Sequence, residues 1–141
     1  MADKKVNLRV ISPKTATDRR PYKLQKDADM VILRCITGDL GILTGRMPCS
    51  MVLGAGILRI LDDGKEYRMA VIGGVAHVQG DIVTVLTDTA LLPKDIDERS
   101  LIQEISQLEA RVNSEGNLEV KNRLKEELKG LRIQLEVAIT S

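Results

Sequence analysis

The sequence contains no tryptophan and no phenylalanine, and only two tyrosines, Tyr22 and Tyr67. Its interior must therefore be aliphatic. Modules that grip single-stranded nucleic acid stack bases on aromatic platforms, so this composition argues against a nucleic-acid partner. Histidine occurs once, at His77, and cysteine twice, at Cys35 and Cys49. A zinc site needs four ligands, or three and a water. The two cysteines have no such spacing and read as a buried, reduced pair. No apolar run approaches the roughly 20 residues that span a bilayer as a helix. Met-Ala-Asp-Lys-Lys at the start is not followed by an apolar stretch of signal-peptide type, which points to a cytosolic setting. Neither sign of charge is in excess: the net charge is +1, so no strong field draws the chain to nucleic acid or to a membrane.

What is present describes a folded protein of one domain, or a small domain with an appendage: 141 residues, 43% hydrophobic and 29% charged. The charge is unevenly divided. Residues 1–96 carry 14 basic and 11 acidic side chains, whereas residues 97–141 carry 7 and 9. Val6, Leu8 and Val10 alternate with Asn7 and Arg9, the period of a half-buried strand. Tyr22 and Leu24 begin a second strand, and Asp27-Ala28-Asp29 reads as a turn. Met30 to Thr37 is a longer apolar strand. Ser50 to Leu53, Ile57 to Leu61, Glu66 to Ile72, Val75 to Gln79 and Ile82 to Leu86 follow. They are separated by Gly54-Ala55-Gly56, by the hairpin signal Asp62-Asp63-Gly64-Lys65, by Gly73-Gly74 and by Gly80-Asp81. Turn signals at roughly eight- to twelve-residue intervals indicate an all-β sandwich or flattened barrel over residues 1–90.

The period changes after Pro93. Leu101, Ile105, Leu108 and Val112 share one helix face, with Asp95 or Asp97 as the cap. Gly116-Asn117 stops that helix. Val120, Leu124, Leu128, Leu131 and Leu135 repeat the spacing. Residues 91–141 are thus expected to form an antiparallel helical hairpin, with helices over about 97–114 and 118–138, giving an α+β chain. Two narrow apolar stripes bury little by themselves, so the hairpin should be attached marginally and be able to move.

The least regular stretch is Gly38-Asp39-Leu40-Gly41-Ile42-Leu43-Thr44-Gly45-Arg46-Met47-Pro48. Three glycines and a proline break up an aliphatic run into a tight turn, a short strand and an exposed bend. The stretch resembles the Gly-Glu-Leu-Gly-Ile-Leu-Pro-Gly-His-Ala-Pro signature of the epsilon subunit of F-type ATP synthases, with Thr44 in place of proline and Arg46 in place of histidine. Further segments resemble that family in order: Asp27-Ala28-Asp29-Met30-Val31, Gly56-Ile57-Leu58-Arg59-Ile60, Gly73-Gly74-Val75-Ala76-His77-Val78, Val83-Thr84-Val85-Leu86-Thr87-Asp88-Thr89-Ala90 and Ile96-Asp97. In the glycine-pair segment, Val75 replaces a phenylalanine and His77 an acid.

The resemblance implies a non-catalytic subunit of the rotary motor. It implies a sandwich that links the gamma shaft to the ring of c subunits, so that proton or sodium translocation is coupled to ATP synthesis. It implies a helical hairpin that restrains ATP hydrolysis when it extends into the alpha/beta head. The setting it implies is peripheral, on the cytoplasmic face of a bacterial plasma membrane, with membrane association only through the complex. Asp39, Leu43, Thr44 and Arg46 then match positions facing the c ring, although the charges alone equally suit a solvated turn. Lys121, Lys125, Lys129 and Arg132 fall on one helix face. With the resemblance they are candidates to meet an acidic segment of the beta subunits; alone they suit a solvated face paired locally with Glu126 and Glu127.

Some members bind ATP through Ile/Leu-Asp-Xaa-Xaa-Arg-Ala. Here Ile96, Asp97 and Arg99 form a degenerate version, with Arg99 one residue early and so about a hundred degrees around the helix. Weak or absent ATP binding is expected. His77 is expected to be a strand-edge histidine with no nucleophile beside it. Gly73-Gly74 lacks the lysine and following helix of a phosphate loop. No residue is expected to be catalytic or to hold a cofactor or metal. Two other readings remain: a stand-alone small-ligand or nucleotide-sensing sandwich, which requires convergent polar groups in a pocket, and a Cys/His hydrolase, which requires Cys35 or Cys49 beside His77.

Overall fold

A computed structural model describes residues 4–13, 22–45 and 48–140. Strand β1 (Val6–Ile11) buries Val6, Leu8 and Val10 on one face, as its alternation requires. Strand β2 (Leu24–Ala28) pairs with it antiparallel, and β7 (Ile82–Leu86) pairs with it parallel on the other side. Strands β3 (Met30–Cys35) and β4 (Gly38–Ile42) form a hairpin. The longest elements, β5 (Cys49–Asp62) and β6 (Lys65–Gln79), form a ribbon paired from Cys49 and Val78 to Asp62 and Lys65. The short β8 (Ala90–Leu91) adds to β6.

The strand order is β2-β1-β7-β6-β5-β3-β4, with β8 on β6. One half of the ribbon pairs with β7 through Val75–Gln79, and the other half pairs with β3 through Ile60 and Leu61. The ribbon therefore belongs to both layers, and its bend makes the sandwich. Leu8, Leu33, Ile42, Leu58, Ile60 and Met69 lead the buried core, with valines filling between them. The sheet does not close: β2 and β4 remain its edges.

The glycines inside β5 and β6 do not end strands, contrary to the turn reading. They let backbones bend and approach. Gly73 and Gly74 have φ of 75° and 117°, and a Cβ on Gly74 would lie 2.1 Å from the carbonyl oxygen of Leu86. Here β6 passes from one layer to the other, tight against β7. At Gly56 a Cβ would lie 2.4 Å from Cγ and 2.5 Å from Cβ of Arg34, whose stem crosses the strand there. The Asp27–Asp29 turn is also shorter than its composition suggests. β2 runs through the fully buried Ala28, and only Asp29 interrupts the path to β3. The hairpin signal at Asp62–Lys65 does give a tight turn, with both Asp63 (φ 50°) and Gly64 (φ 78°) left-handed.

A single 3₁₀ turn, Pro93–Asp95, leads out of the sheet. Of the two candidate caps for the first helix, Asp97 caps it, and Asp95 instead closes the 3₁₀ turn before it. The Asp95 carboxylate accepts from the Leu92 N–H at 3.0 Å, and Asp97 accepts from the Ser100 N–H and hydroxyl at 3.3 and 3.0 Å. Helix α1 spans Glu98–Ser114 and α2 spans Leu118–Thr140, with the Asn117 side-chain oxygen accepting from the Glu119 and Val120 N–H groups. Leu101, Ile105, Leu108 and Val112 of α1 meet Leu124 and Leu128 of α2, with Val120, Leu131 and Leu135 beside them.

Helix α2 has a second face. Gly130 and Val137 are buried, seven residues apart, and a Cβ on Gly130 would lie 3.5 Å from Cγ2 of Ile72 on β6. The hairpin therefore lies against the β3-β5-β6 layer through α2. Its last turn is tied to the sheet, where Arg68 Nη1 donates to Thr140 Oγ1 at 2.9 Å.

Candidate functional site

The predicted c-ring residues do not form one cluster. Asp39 sits at the start of β4, opposite Arg34 on β3, and accepts from its guanidinium at 3.1 Å. Leu43 and Thr44 lie past the opposite end of the same edge strand. Leu43 is 54% exposed, and Gly45 beyond it has φ of 80°. The left-handed glycine turns the chain just after the exposed leucine. Arg46 lies outside the described residues.

The basic stripe on α2 is divided by its surroundings. Arg132 pairs with Glu109 of α1 at 2.9 Å, tying the two helices together. Lys129 and Arg132 also border a cavity of about 430 Å³ between α2 and the sheet, with Arg34, Asp39, Gly56 and Glu136 on its walls. Lys121 and Lys125 have no ion pair among the described residues, and Lys125 is exposed. The stripe thus supplies these two cations, Lys121 half-buried and Lys125 exposed, and two that border the cleft. Asp39 belongs to this same cleft, which places it beside the hairpin.

At the base of the hairpin, Asp97 is committed to capping α1, Ile96 packs on the helix seam, and Arg99 is exposed. The structure does not bring Ile96, Asp97 and Arg99 together around a cavity. Just before them, Lys23 and Asp95 pair at 2.7 Å, with side chains 15% and 23% exposed. Burial raises the Asp95 carboxyl, but the Lys23 ammonium and the Leu92 N–H outweigh it and hold the group below its ordinary value. This pair ties the linker to the strand side of the sandwich.

Sequence reasoning missed a polar pair and an apolar row on the opposite layer. Ser50 Oγ lies 2.8 Å from His77 Nδ1, so the histidine does have a hydroxyl beside it. The cause is register: Ser50 and His77 are direct cross-strand partners. Neither cysteine accompanies them; Cys35 is buried and Cys49 is half-buried rather than fully buried. On the same face Val52 opposes Val75, Val75 opposes Leu86, and Leu86 opposes Ile11. Val52, Val75 and Leu86 are 54%, 45% and 46% exposed. Three strand pairings align this row, and the parallel β1–β7 pairing among them leaves no mark in the local sequence.

Elsewhere, the carboxylates of Asp29, Asp62 and Asp63 lie within 4.8 Å of one another. The Lys5 ammonium sits among them, bonded to Asp62 and 3.3 Å from Asp63. A lysine supplies the positive charge there.

A model of the ATP synthase delta/epsilon chain β-sandwich domain matches residues 5–93. An ATP synthase epsilon chain from Trichodesmium erythraeum is 33% identical over 137 residues, 94% of this chain and 95% of that one. The chain belongs to the ATP synthase epsilon family. A second epsilon chain, from Brevibacillus brevis, is 43% identical over 94 residues, covering 66% of this chain and 67% of that one. Among solved structures, a chain of the Euglena gracilis mitochondrial ATP synthase, from its OSCP/F1/c-ring assembly, superposes over 99% of this chain and 84% of its own, with a TM-score of 0.76 at 24% identity. A chain from the Tetrahymena thermophila central stalk and c ring does so with a TM-score of 0.57 at 15% identity. These two likenesses are of fold. This epsilon-family chain has a sandwich followed by two helices, and among the described residues no helix is long and apolar enough to cross a membrane.

Proposed function

We propose that this chain is the central-stalk epsilon subunit of a rotary ATP synthase, built as a sandwich unit of residues 1–90 and a mobile hairpin of residues 91–141. The sandwich links the gamma shaft to the c ring and so couples ion translocation to ATP synthesis. The hairpin leaves the sandwich and extends toward the alpha/beta head to restrain ATP hydrolysis. The observation that carries this reading is the seating of α2. One face of one helix holds the hairpin to the sheet, through Gly130 and Val137, with Arg68 and Thr140 as a polar tie. Burying one valine contributes only about 1.5–3 kcal/mol. That scale is small enough for a partner to reverse.

The apolar row Val52, Val75, Leu86 and Ile11 is the surface for the gamma shaft, because the other outer layer is already covered by α2. The bend at Leu43, Thr44 and Arg46 meets the c ring, and Lys121 and Lys125 meet the beta subunits when the hairpin extends. No catalytic role is assigned to any residue. Nucleotide binding at Ile96, Asp97 and Arg99 is weak or absent, since Asp97 is occupied by Ser100. The complex would sit on the cytoplasmic face of a bacterial plasma membrane.

The test is reconstitution. Full-length protein is added to an ATP synthase head and shaft stripped of epsilon. Stoichiometric binding and slower ATP hydrolysis are expected. Absence of binding would overturn the assignment, and binding without slower hydrolysis would remove the regulatory part alone.

A further inference from the structure

The Ser50–His77 pair lies directly beside the exposed apolar row, on the same face. His77 is two residues along β6 from Val75, so their side chains share one face. Ser50 is likewise two residues from Val52 on β5, and Thr84 two from Leu86 on β7. A polar row, Ser50–His77–Thr84–Arg9, thus runs beside the apolar row Val52–Val75–Leu86–Ile11 across the same four strands. The groups facing His77 are few. β5 presents the Ser50 hydroxyl, β7 presents Thr84, and β6 itself presents Val75 and Gln79. Along this row the first charged side chain is Arg9 of β1, two strands and so about 10 Å away. The carboxylate of Asp27 on β2 is one strand farther. No carboxylate stands beside His77 among the described residues to compensate a charge on its ring.

We propose that His77 makes docking of this face pH-dependent: neutral, it joins the contact through Ser50; protonated, it opposes the contact. The proposal rests on the reading of this face as the docking surface for the gamma shaft. Histidine changes charge between pH 5 and 8. The neutral ring exchanges one hydrogen bond with the Ser50 hydroxyl and presents its carbon edge beside valine. The imidazolium must lose water as the apolar row is covered, and it meets only neutral neighbours and a distant arginine. Docking then carries the cost of desolvating a charge or of releasing the proton. If docking lowers a histidine's affinity for protons tenfold, binding weakens by at most about tenfold at low pH.

The experiment measures dissociation constants for the epsilon-stripped head and shaft at pH 8 and pH 5.5. The proteins are the full-length chain, His77→Gln, His77→Lys and Val75→Asp. The expected result is about fivefold weaker binding of the unmodified chain at pH 5.5 than at pH 8. His77→Gln should bind tightly at both values, and His77→Lys weakly at both. A His77→Gln profile that tracks the unmodified chain overturns the histidine proposal. So does tight binding of His77→Lys. If Val75→Asp binds as tightly as the unmodified chain, the docking face itself is wrong, which separates the two failures.

Discussion

Replacing Gly130 by alanine should stabilise this protein, although the position is buried. Gly130 lies within α2, where glycine costs about 1 kcal/mol relative to alanine. The new methyl would sit 3.5 Å from Cγ2 and 3.9 Å from Cδ1 of Ile72, which is ordinary contact. Covering one methyl group adds up to about 0.8 kcal/mol. The two contributions can be separated, because helix propensity acts whether or not α2 is docked, while the Ile72 contact exists only in the docked form. Gly130→Ala should therefore raise total stability by about 1–1.5 kcal/mol, or about 3–6 °C in Tm for a chain of this size. The docking equilibrium should move by only the contact share, about twofold to fourfold. Urea unfolding reports the first, and amide exchange of Ile72 and its neighbours on β6 reports the second. A destabilised variant would mean that α2 approaches the sheet more closely than described, and the packing account would fail.

Other outcomes follow from the same geometry. Hydrogen bonds from Lys5 to Asp62 and from Arg59 and Arg68 to Glu66 hold both carboxyls below their ordinary values. Asp95 is also held low, where the Lys23 pair outweighs burial. Lowered folded values mean that the stabilisation is present above the unfolded values, about pH 4, and is lost as pH falls through the folded ones. Urea midpoints measured from pH 6 down to pH 2 should therefore fall below pH 4, and Asp62→Asn should flatten part of that slope; an unchanged slope would contradict the pairing. Lys121→Glu with Lys125→Glu should leave sandwich binding intact and relieve inhibition of ATP hydrolysis by about twofold to fivefold, as expected for exposed charge pairs; unchanged inhibition would remove these lysines from the contact. Leu43→Asp should lower ATP-driven proton pumping in reconstituted vesicles more than it lowers hydrolysis, and equal losses would argue against a c-ring contact at this bend.

Much of this architecture was legible because it rests on local rules. The alternation of Val6, Leu8 and Val10, the Asp-Asp-Gly-Lys turn and the leucine spacing of both helices each encode their own element. Asp97 and Asn117 mark helix starts by chemistry that needs no tertiary context. The misread segments are those in which tertiary contact overrides local signals. Gly54, Gly56, Gly73 and Gly74 look like breaks but lie inside continuous strands, where Gly56 admits the Arg34 stem and Gly74 the backbone of β7. The candidate surfaces were less legible still. The Ser50–His77 pair and the Val52–Val75–Leu86–Ile11 row exist only through cross-strand register, part of it from a parallel pair more than 70 residues apart in sequence. Seating of α2 on the sheet was hidden because Gly130 reads as a flaw in the helix rather than as part of its second buried face.

The most direct test of the movable hairpin is the rate of ATP hydrolysis by reconstituted enzyme carrying Val137→Asp. Val137 is fully buried in the docked form, so a carboxylate there must displace α2 from the sheet. With binding to the shaft verified as unchanged, the account predicts slower hydrolysis than with the unmodified chain, because the freed hairpin spends more time extended. Equal or faster hydrolysis would contradict the claim that leaving the sandwich is what restrains the motor.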